Sequence, residues 1–188
     1  ARGWPAVLAP VGAWLDAPQD HPVLFGDTPT ARDRFLDWRQ VREMSDSGLI
    51  EIAAHTYALH QGLAANPQGN LQPAAAARAY DPATRRYEDE TVQRERLRRD
   101  IHRISARIRQ VTGKAPRVWV WPYGEPGGVA LALVRQAGYR MALKLDSGLA
   151  SARRPFDTPR LLIANNPSIE GFARACQDME RPVRMRAA

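Results

Sequence analysis

Strand-like and helix-like stretches alternate along this 188-residue chain, and the alternation predicts an α/β domain with parallel strands and right-handed crossovers. Two further observations support that class. With 44% hydrophobic and 25% charged residues, the chain has the balance of one globular domain rather than of a disordered tail or a fibre. Its polar candidates for chemistry also follow directly after apolar runs, and α/β folds collect their chemistry at the carboxyl ends of strands.

Taken in order, Trp4 to Leu15 is an apolar run punctuated by Pro5, Pro10 and Gly12, which predicts a buried strand running into a loop. Asp16 to Thr30 is rich in Pro, Asp and Gly and predicts a surface loop. From Thr30 the spacing of Phe35, Trp38, Val41 and Met44 is helical, with Thr30 as its cap and Gly48 just past its end. Leu49 to Ala53 predicts a strand, and the turn-rich stretch between Leu63 and Tyr87 an excursion over the surface. A long basic helix follows, its Leu97, Ile101, Ile104, Ile108 and Val111 forming one apolar stripe and Gly113 ending it. Arg117 to Trp121 is the next strand, Pro122 to Gly128 a turn, Val129 to Ala137 a helix, and Tyr139 to Leu145 a strand. Leu161 to Ala164 reads as a further strand, and Ser168 caps a last helix, Ile169 to Met179.

The formal charge of +7 draws polyanions towards the surface, and much of it is arginine between Arg85 and Arg109. The apolar stripe of that segment makes its arginines the solvated face of a helix. No zinc-finger spacing, aromatic interleaving or RNA-binding sheet motif accompanies them, so nucleic acid is not an expected partner. No run approaches the roughly 20 apolar residues of a membrane-spanning helix. A single cysteine, Cys176, allows neither an intrachain disulfide nor a cysteine zinc cluster. The chain opens with Ala-Arg-Gly, without Met or a basic-then-apolar leader, which predicts a piece of a longer precursor.

His55 and His60 stand as H-T-Y-A-L-H directly after the predicted strand Leu49 to Ala53. Neutral imidazole is the commonest protein ligand for zinc and its neighbours, so the pair is a candidate metal site. A separation of five is wrong for one helix face and for one strand face, so both rings reach one ion only if the chain bends between them. Surface or core histidines unrelated to metal fit the spacing as well, and His21 and His102 read as a loop and a helix-face residue. In Arg117 to Gly124 (RVWVWPYG) a strand ends in a sharp turn whose backbone N–H groups are able to stabilise an oxyanion. Arg117 needs a carboxylate or carbonyls if buried. Asp146 and the Asn165-Asn166 pair are further rim candidates that turn chemistry explains equally well.

Taken together these segments resemble the polysaccharide deacetylases of carbohydrate esterase family 4. The likeness is closest to the branch that partially de-N-acetylates the exopolysaccharide poly-β-1,6-N-acetylglucosamine. It is carried by APVGAW (Ala9 to Trp14), DSGLIEIAAHTYALHQG (Asp46 to Gly62), ANPQGN (Ala65 to Asn70), TGKAPRVWVWPYG (Thr112 to Gly124), LDSGLA (Leu145 to Ala150) and PRLLIANNP (Pro159 to Pro167). The resemblance implies a distorted or incomplete (β/α) barrel of the NodB-like type, lacking its N-terminal strands in this chain. It maps the two metal-binding histidines onto His55 and His60, and the arginine that orients the catalytic aspartate onto Arg117. The turn whose tyrosine amide helps form the oxyanion hole falls on Pro122 and Tyr123.

The family's Thr-Phe-Asp-Asp strand end, source of the third metal ligand and the catalytic base, has no counterpart, since no Asp-Asp pair occurs in the chain. The general acid histidine has no clear counterpart either. In this branch both precede the stretch like Trp4 to Trp14, so the chain is expected to be a single deacetylase domain, residues 1 to 188, that lacks the N-terminal strands and is inactive alone. A C-terminal glycoside-hydrolase-like domain would begin after about Arg186. The implied chemistry is metal-assisted amide hydrolysis with zinc, nickel, cobalt or iron, histidine and carboxylate ligands serving all four. The implied substrate is the β-1,6-linked polymer, with an export porin as partner and the periplasm, as an outer-membrane lipoprotein, as location. Chitin or peptidoglycan as substrate, and a glycan-binding module without turnover, are the alternatives.

Overall fold

The computed structural model describes residues 3–163 and 166–180. Its sheet is built from β1 (Ala6–Leu8), which pairs in parallel with β4 (Ile50–Ile52), and from β9 (Val118–Val120), β10 (Met141–Leu145) and β11 (Thr158–Arg160), also parallel. The two parts join where Ala54, just beyond β4, bridges to Trp119: Ala54 N–H donates to Val118 O at 2.9 Å and Val120 N–H to Ala54 O at 2.8 Å. The order among the described residues is therefore β1-β4-β9-β10-β11, a curved wall of parallel strands.

Three helices cover one face of that wall. The first, α2 (Trp38–Asp46), packs beside α3 (Glu90–Thr112), and α3 beside α4 (Gly128–Gln136); α1 (Gly12–Asp16) buries Leu15 in the same core, and α5 (Ile169–Glu180) is the last helix. The apolar stripe of α3 is buried as its spacing predicts, with Leu97, Ile101, Ile104 and Ile108 packed against Trp119 and Trp121. Asp89 caps α3 by accepting from Thr91 N–H, and Gly113 ends it in the left-handed conformation. On the opposite, barrel-interior face a smaller cluster of Ala53, Val118 and Val120 packs with Ala9 and Leu143. That inward face is open beside the edge strand, where Val7 is 51% exposed. No helix among the described residues is long and apolar enough to cross a membrane.

Several expectations are corrected in detail. The run from Trp4 is a strand only over Ala6–Leu8, and Gly12–Asp16 is helical because the amides of Gly12 and Ala13 donate to the carbonyls of Thr56 and Tyr57, at 3.2 and 2.7 Å. Between Asp16 and Thr30 lies a hairpin, β2 (Val23–Phe25) with β3 (Thr28–Thr30), rather than a plain loop. The helix does not begin at Thr30. Arg32 is buried there with its guanidinium on the carbonyls of Leu15, Ala17 and Phe35, and Asp37 with Gln40 forms a capping box that starts α2 at Trp38. The excursion contains two more hairpins, β5 (Gly62–Ala64) with β6 (Leu71–Pro73), and β7 (Tyr80–Asp81) with β8 (Arg86–Tyr87). The last strand is Thr158–Arg160 instead of Leu161 to Ala164, because Leu143, Lys144 and Leu145 pair with it. Its Pro159, without an N–H, suits an edge strand. Ala164 and Asn165 lie outside the described residues.

Candidate active site

The residue after the bridging Ala54 is His55, and its ring is held by the neighbouring strand: Nδ1 lies 2.7 Å from Val120 O. A carbonyl only accepts, so Nδ1 carries the proton and the lone pair sits on Nε2, facing away from that bond. The chain then turns sharply. Thr56 is buried in the left-handed conformation (φ 67), and its Oγ1 accepts from Leu59 N–H at 3.2 Å. Asp100, reaching across from α3, accepts the amides of Tyr57 and Ala58, each at 2.8 Å. This is the bend that the five-residue spacing requires, and it brings the His60 ring to 4.8 Å from that of His55.

A second knot braces the same turn. Asp16 accepts from Trp38 Nε1 (2.7 Å), Tyr57 OH (2.9 Å) and Arg107 Nη2 (2.8 Å), while the Arg103 guanidinium lies 3.7 Å over the Tyr57 ring. Burial alone would raise the Asp16 pKa, but the hydrogen bonds from Tyr57, Arg107 and Trp38 outweigh it and leave the carboxyl below its usual value. Gly12 sits against this knot, where an added Cβ would come 2.5 Å from the Tyr57 ring.

The electrostatics suit metal ligation. Burial lowers the His55 pKa to about 4, against the opposing pull of the Val120 carbonyl, with the charges of His60 and Arg160 adding to the depression. Burial also lowers that of His60. Both rings are neutral at pH 7, and neutral imidazole is the form that binds metal. His60 Nδ1 is buried without a hydrogen-bond partner, so the ring is unsatisfied by protein groups at that atom. Two imidazoles therefore fit a divalent ion as part of its ligand set. No group of three or more His, Cys, Asp or Glu side chains forms such a set among the described residues.

Tyr123 completes the rim. The turn Pro122–Gly124 follows β9, Tyr123 itself is left-handed (φ 55), and its ring lies 4.7 Å from that of His60. The turn is locked from below. Gly124 (φ 80) packs so tightly on β10 that an added Cβ would overlap Leu145 Cβ and lie 2.6 Å from Leu145 N. Trp14 stands on the other side of His60, ring to ring at 5.0 Å, and itself contacts Phe25 and Phe35. From His60, Tyr123 and Trp14 a cleft of about 940 Å³ opens between the β2-β3 and β5-β6 hairpins. It is large enough for a sugar chain to enter.

Arg117 is not brought to this rim. It lies at the amino end of β9, forks onto Glu51 at 3.1 and 2.9 Å, and is 60% exposed. The carbonyl that holds His55 belongs to Val120, at the other end of the strand. Geometry thus gives Arg117 an ion pair with Glu51 at the foot of the sheet, at the opposite end from His55. Asp146 is exposed and engaged by Lys144 and by Ser147 N–H. Asn165 is outside the described residues, and Asn166 is exposed. His21 pairs with Asp20, and His102 lies on the exposed side of α3. Asp100 and Arg160 were not foreseen. Asp100 had a signal, since it is a carboxylate three residues after Leu97 on the apolar stripe of α3, where only a buried partner justifies it.

Comparison with known proteins agrees with this geometry. The polysaccharide deacetylase family model matches residues 1–142. The chain is 46% identical over 170 residues to the poly-beta-1,6-N-acetyl-D-glucosamine N-deacetylase of Escherichia coli (strain K12), and 45% to that of strain O157:H7. Those matches cover 90% of this chain but 25% of each relative, so the chain spans about a quarter of their length. Among solved structures, a de-N-acetylase from Aggregatibacter actinomycetemcomitans superposes with a TM-score of 0.80 at 38% identity, covering 91% of this chain and 64% of that one. The BpsB deacetylase domain from Bordetella bronchiseptica gives 0.79 at 38% identity, covering 85% and 61%. The partial parallel barrel is thus of the NodB-like deacetylase type. With its family model matched over most of the chain and its strand-end histidines and Pro-Tyr turn on one rim, this chain belongs to the polysaccharide deacetylase family.

Proposed function

We propose that this domain removes acetyl groups from N-acetylglucosamine units of a β-1,6-linked exopolysaccharide. The observation that carries the reading is the packing of His55, His60 and Tyr123 ring against ring at the mouth of a sugar-sized cleft. The activity for which the E. coli relatives are named supports the choice of polymer.

His55 and His60 would hold a divalent metal, of which zinc, nickel, cobalt and iron all accept such ligands. That ion, when bound, supplies Lewis acidity to a carbonyl and makes water a better nucleophile near neutral pH. The protein's own groups do the rest. Val120 fixes the His55 tautomer, and Asp100 fixes the bend that aims both rings. The cleft, walled by Trp14 and Tyr123, orients the sugar and limits water. As water adds to the acetamide carbon, the oxygen gains negative charge and the Tyr123 amide donates to it. The C–N bond then breaks, giving acetate and a glucosamine amine.

A third ligand and a base complete this chemistry. In our reading they come from a segment outside these 188 residues that also covers the open inward face near Val7. The same reading places the protein in the periplasm as an outer-membrane lipoprotein, with a C-terminal glycoside-hydrolase-like domain and an export porin as partners. The relatives' greater length leaves room for further domains.

The test is acetate release from N-acetylglucosamine oligomers during a metal titration, comparing this chain with the longer natural protein. Release by the longer protein, abolished by His55→Ala or His60→Ala, is expected. Oligomer binding without acetate release in either would leave a glycan-binding module instead.

A further inference from the structure

Strand β4 leads into His55, and β9 carries Val120 and runs into the Tyr123 turn, so each of two neighbouring strands holds one half of the rim. The two are sparsely joined. Among the described residues the backbone hydrogen bonds between them are the pair at Ala54, and below that bridge β4 and β9 belong to separate ladders. A cavity of about 390 Å³ opens where they part, lined by Ile50 and Ile52 of β4, Ile108 and Thr112 of α3, and Ala115 and Arg117 at the approach to β9. One contact spans the gap at its foot: Arg117 forks onto both carboxylate oxygens of Glu51, at 3.1 and 2.9 Å. Lys114, which also lines the cavity, is turned to Ser45 of α2 instead.

This layout is a lever. With Ala54 as pivot, Glu51 lies three residues below it and His55 one residue above, roughly 10 Å and roughly 3 Å at the rise of a strand. An opening of ~1.5 Å at the foot thus displaces His55 by ~0.5 Å against Val120, the tolerance within which a ligand constellation must be held. Two parallel N–H···O bonds fix both distance and direction, so the fork resists that opening. Arg117 is mostly exposed, and water screens the pair, so its contribution to overall stability is small.

We propose that Glu51 and Arg117 are positioning residues for His55: their ion pair clamps β4 to β9 at the foot of the sheet and so keeps the imidazole seated on Val120 at the other end. That the ring then serves a metal rests on the function proposed above, while the clamp rests on the strand geometry alone.

The experiment follows exchange of the His55 Nδ1–H proton with water, by NMR at pH 7, in the metal-free, ¹⁵N-labelled 188-residue chain. Glu51→Gln keeps the shape and removes the charge, and should speed exchange about twofold to fivefold, the range an exposed ion pair supports. Arg117→Lys should fall between, keeping the charge without the fork. Exchanging the partners, Glu51→Arg with Arg117→Glu, should bring the rate back towards wild type. Glu43→Gln breaks an exposed ion pair with Arg39 on α2 and should leave the rate unchanged. Salt of about 1 M should speed exchange in the wild type by screening the pair. A wild-type rate indifferent to salt overturns the clamp whatever the fate of the variants, as does an equal acceleration by Glu51→Gln and Glu43→Gln. The two proposals fail separately. Acetate release by the longer protein with salt-insensitive exchange here removes the clamp alone, whereas the expected exchange rates without hydrolysis in either chain keep the clamp and remove the deacetylase.

Discussion

The Nδ1 of His55 rests 2.7 Å from the carbonyl oxygen of Val120, so one strand of the sheet decides which nitrogen of a ring on the next strand is free. Long-range ¹H–¹⁵N correlation at pH 7 should show the Nδ1–H tautomer for His55, with an unprotonated Nε2. An Nε2–H tautomer would mean that the ring is not preset for a ligand at the rim.

Asp100 acts on the same histidines without touching them. Asp100→Asn keeps the size but puts an amide donor against the N–H of Tyr57 or Ala58, and the bend between His55 and His60 loosens. Metal affinity measured by calorimetry should fall about 10–100-fold, as for outer residues that orient ligands. Unchanged affinity would separate the bend from metal binding.

Gly124 is expected to tolerate no side chain. Gly124→Ala forces a Cβ onto Leu145 and a non-glycine residue into a positive φ, and should cost about 3 kcal/mol in urea unfolding. A loss under about 1 kcal/mol would show that the turn relaxes away from β10.

Stability should also depend on pH through His55. Its folded pKa of about 4 lies below the ordinary imidazole value of 6.5, so the unfolded chain takes up the proton first as pH falls. The stabilisation is present in full above about pH 6.5 and is lost progressively down to about pH 4, by roughly 3 kcal/mol if the whole shift is realised. Denaturant unfolding across that window, with His55→Gln as the comparison, measures it. Identical slopes for the two proteins would remove His55 as the cause.

Much of the fold was legible because it rests on local periodicity. The stripe from Leu97 to Ile108 and the strand Val118–Val120 declare themselves by spacing, and the pair His55 and His60 announces a bend by not fitting any regular element. The misses came from tertiary contacts that override local pattern. Arg32 has no sequence signature for its hold on three carbonyls, yet it delays α2 to Trp38. Arg117 had its catalytic role from the resemblance alone, while in space it sits on Glu51 at the end of β9 away from Tyr123. The hairpins that wall the cleft are short pairings whose signal is hidden among turn residues.

The knot at Asp16 bears on the order in which the molecule assembles. It ties a residue near the start of the chain to Arg107, 91 positions later, and through Tyr57 to the turn that carries the histidines. Closing so long a loop is slow, and its entropy must be met before the contacts that reward it exist. The turn that carries the imidazole pair therefore leans on contacts from α3, so a chain whose long helix is not docked lacks the contacts that bring the two rings together.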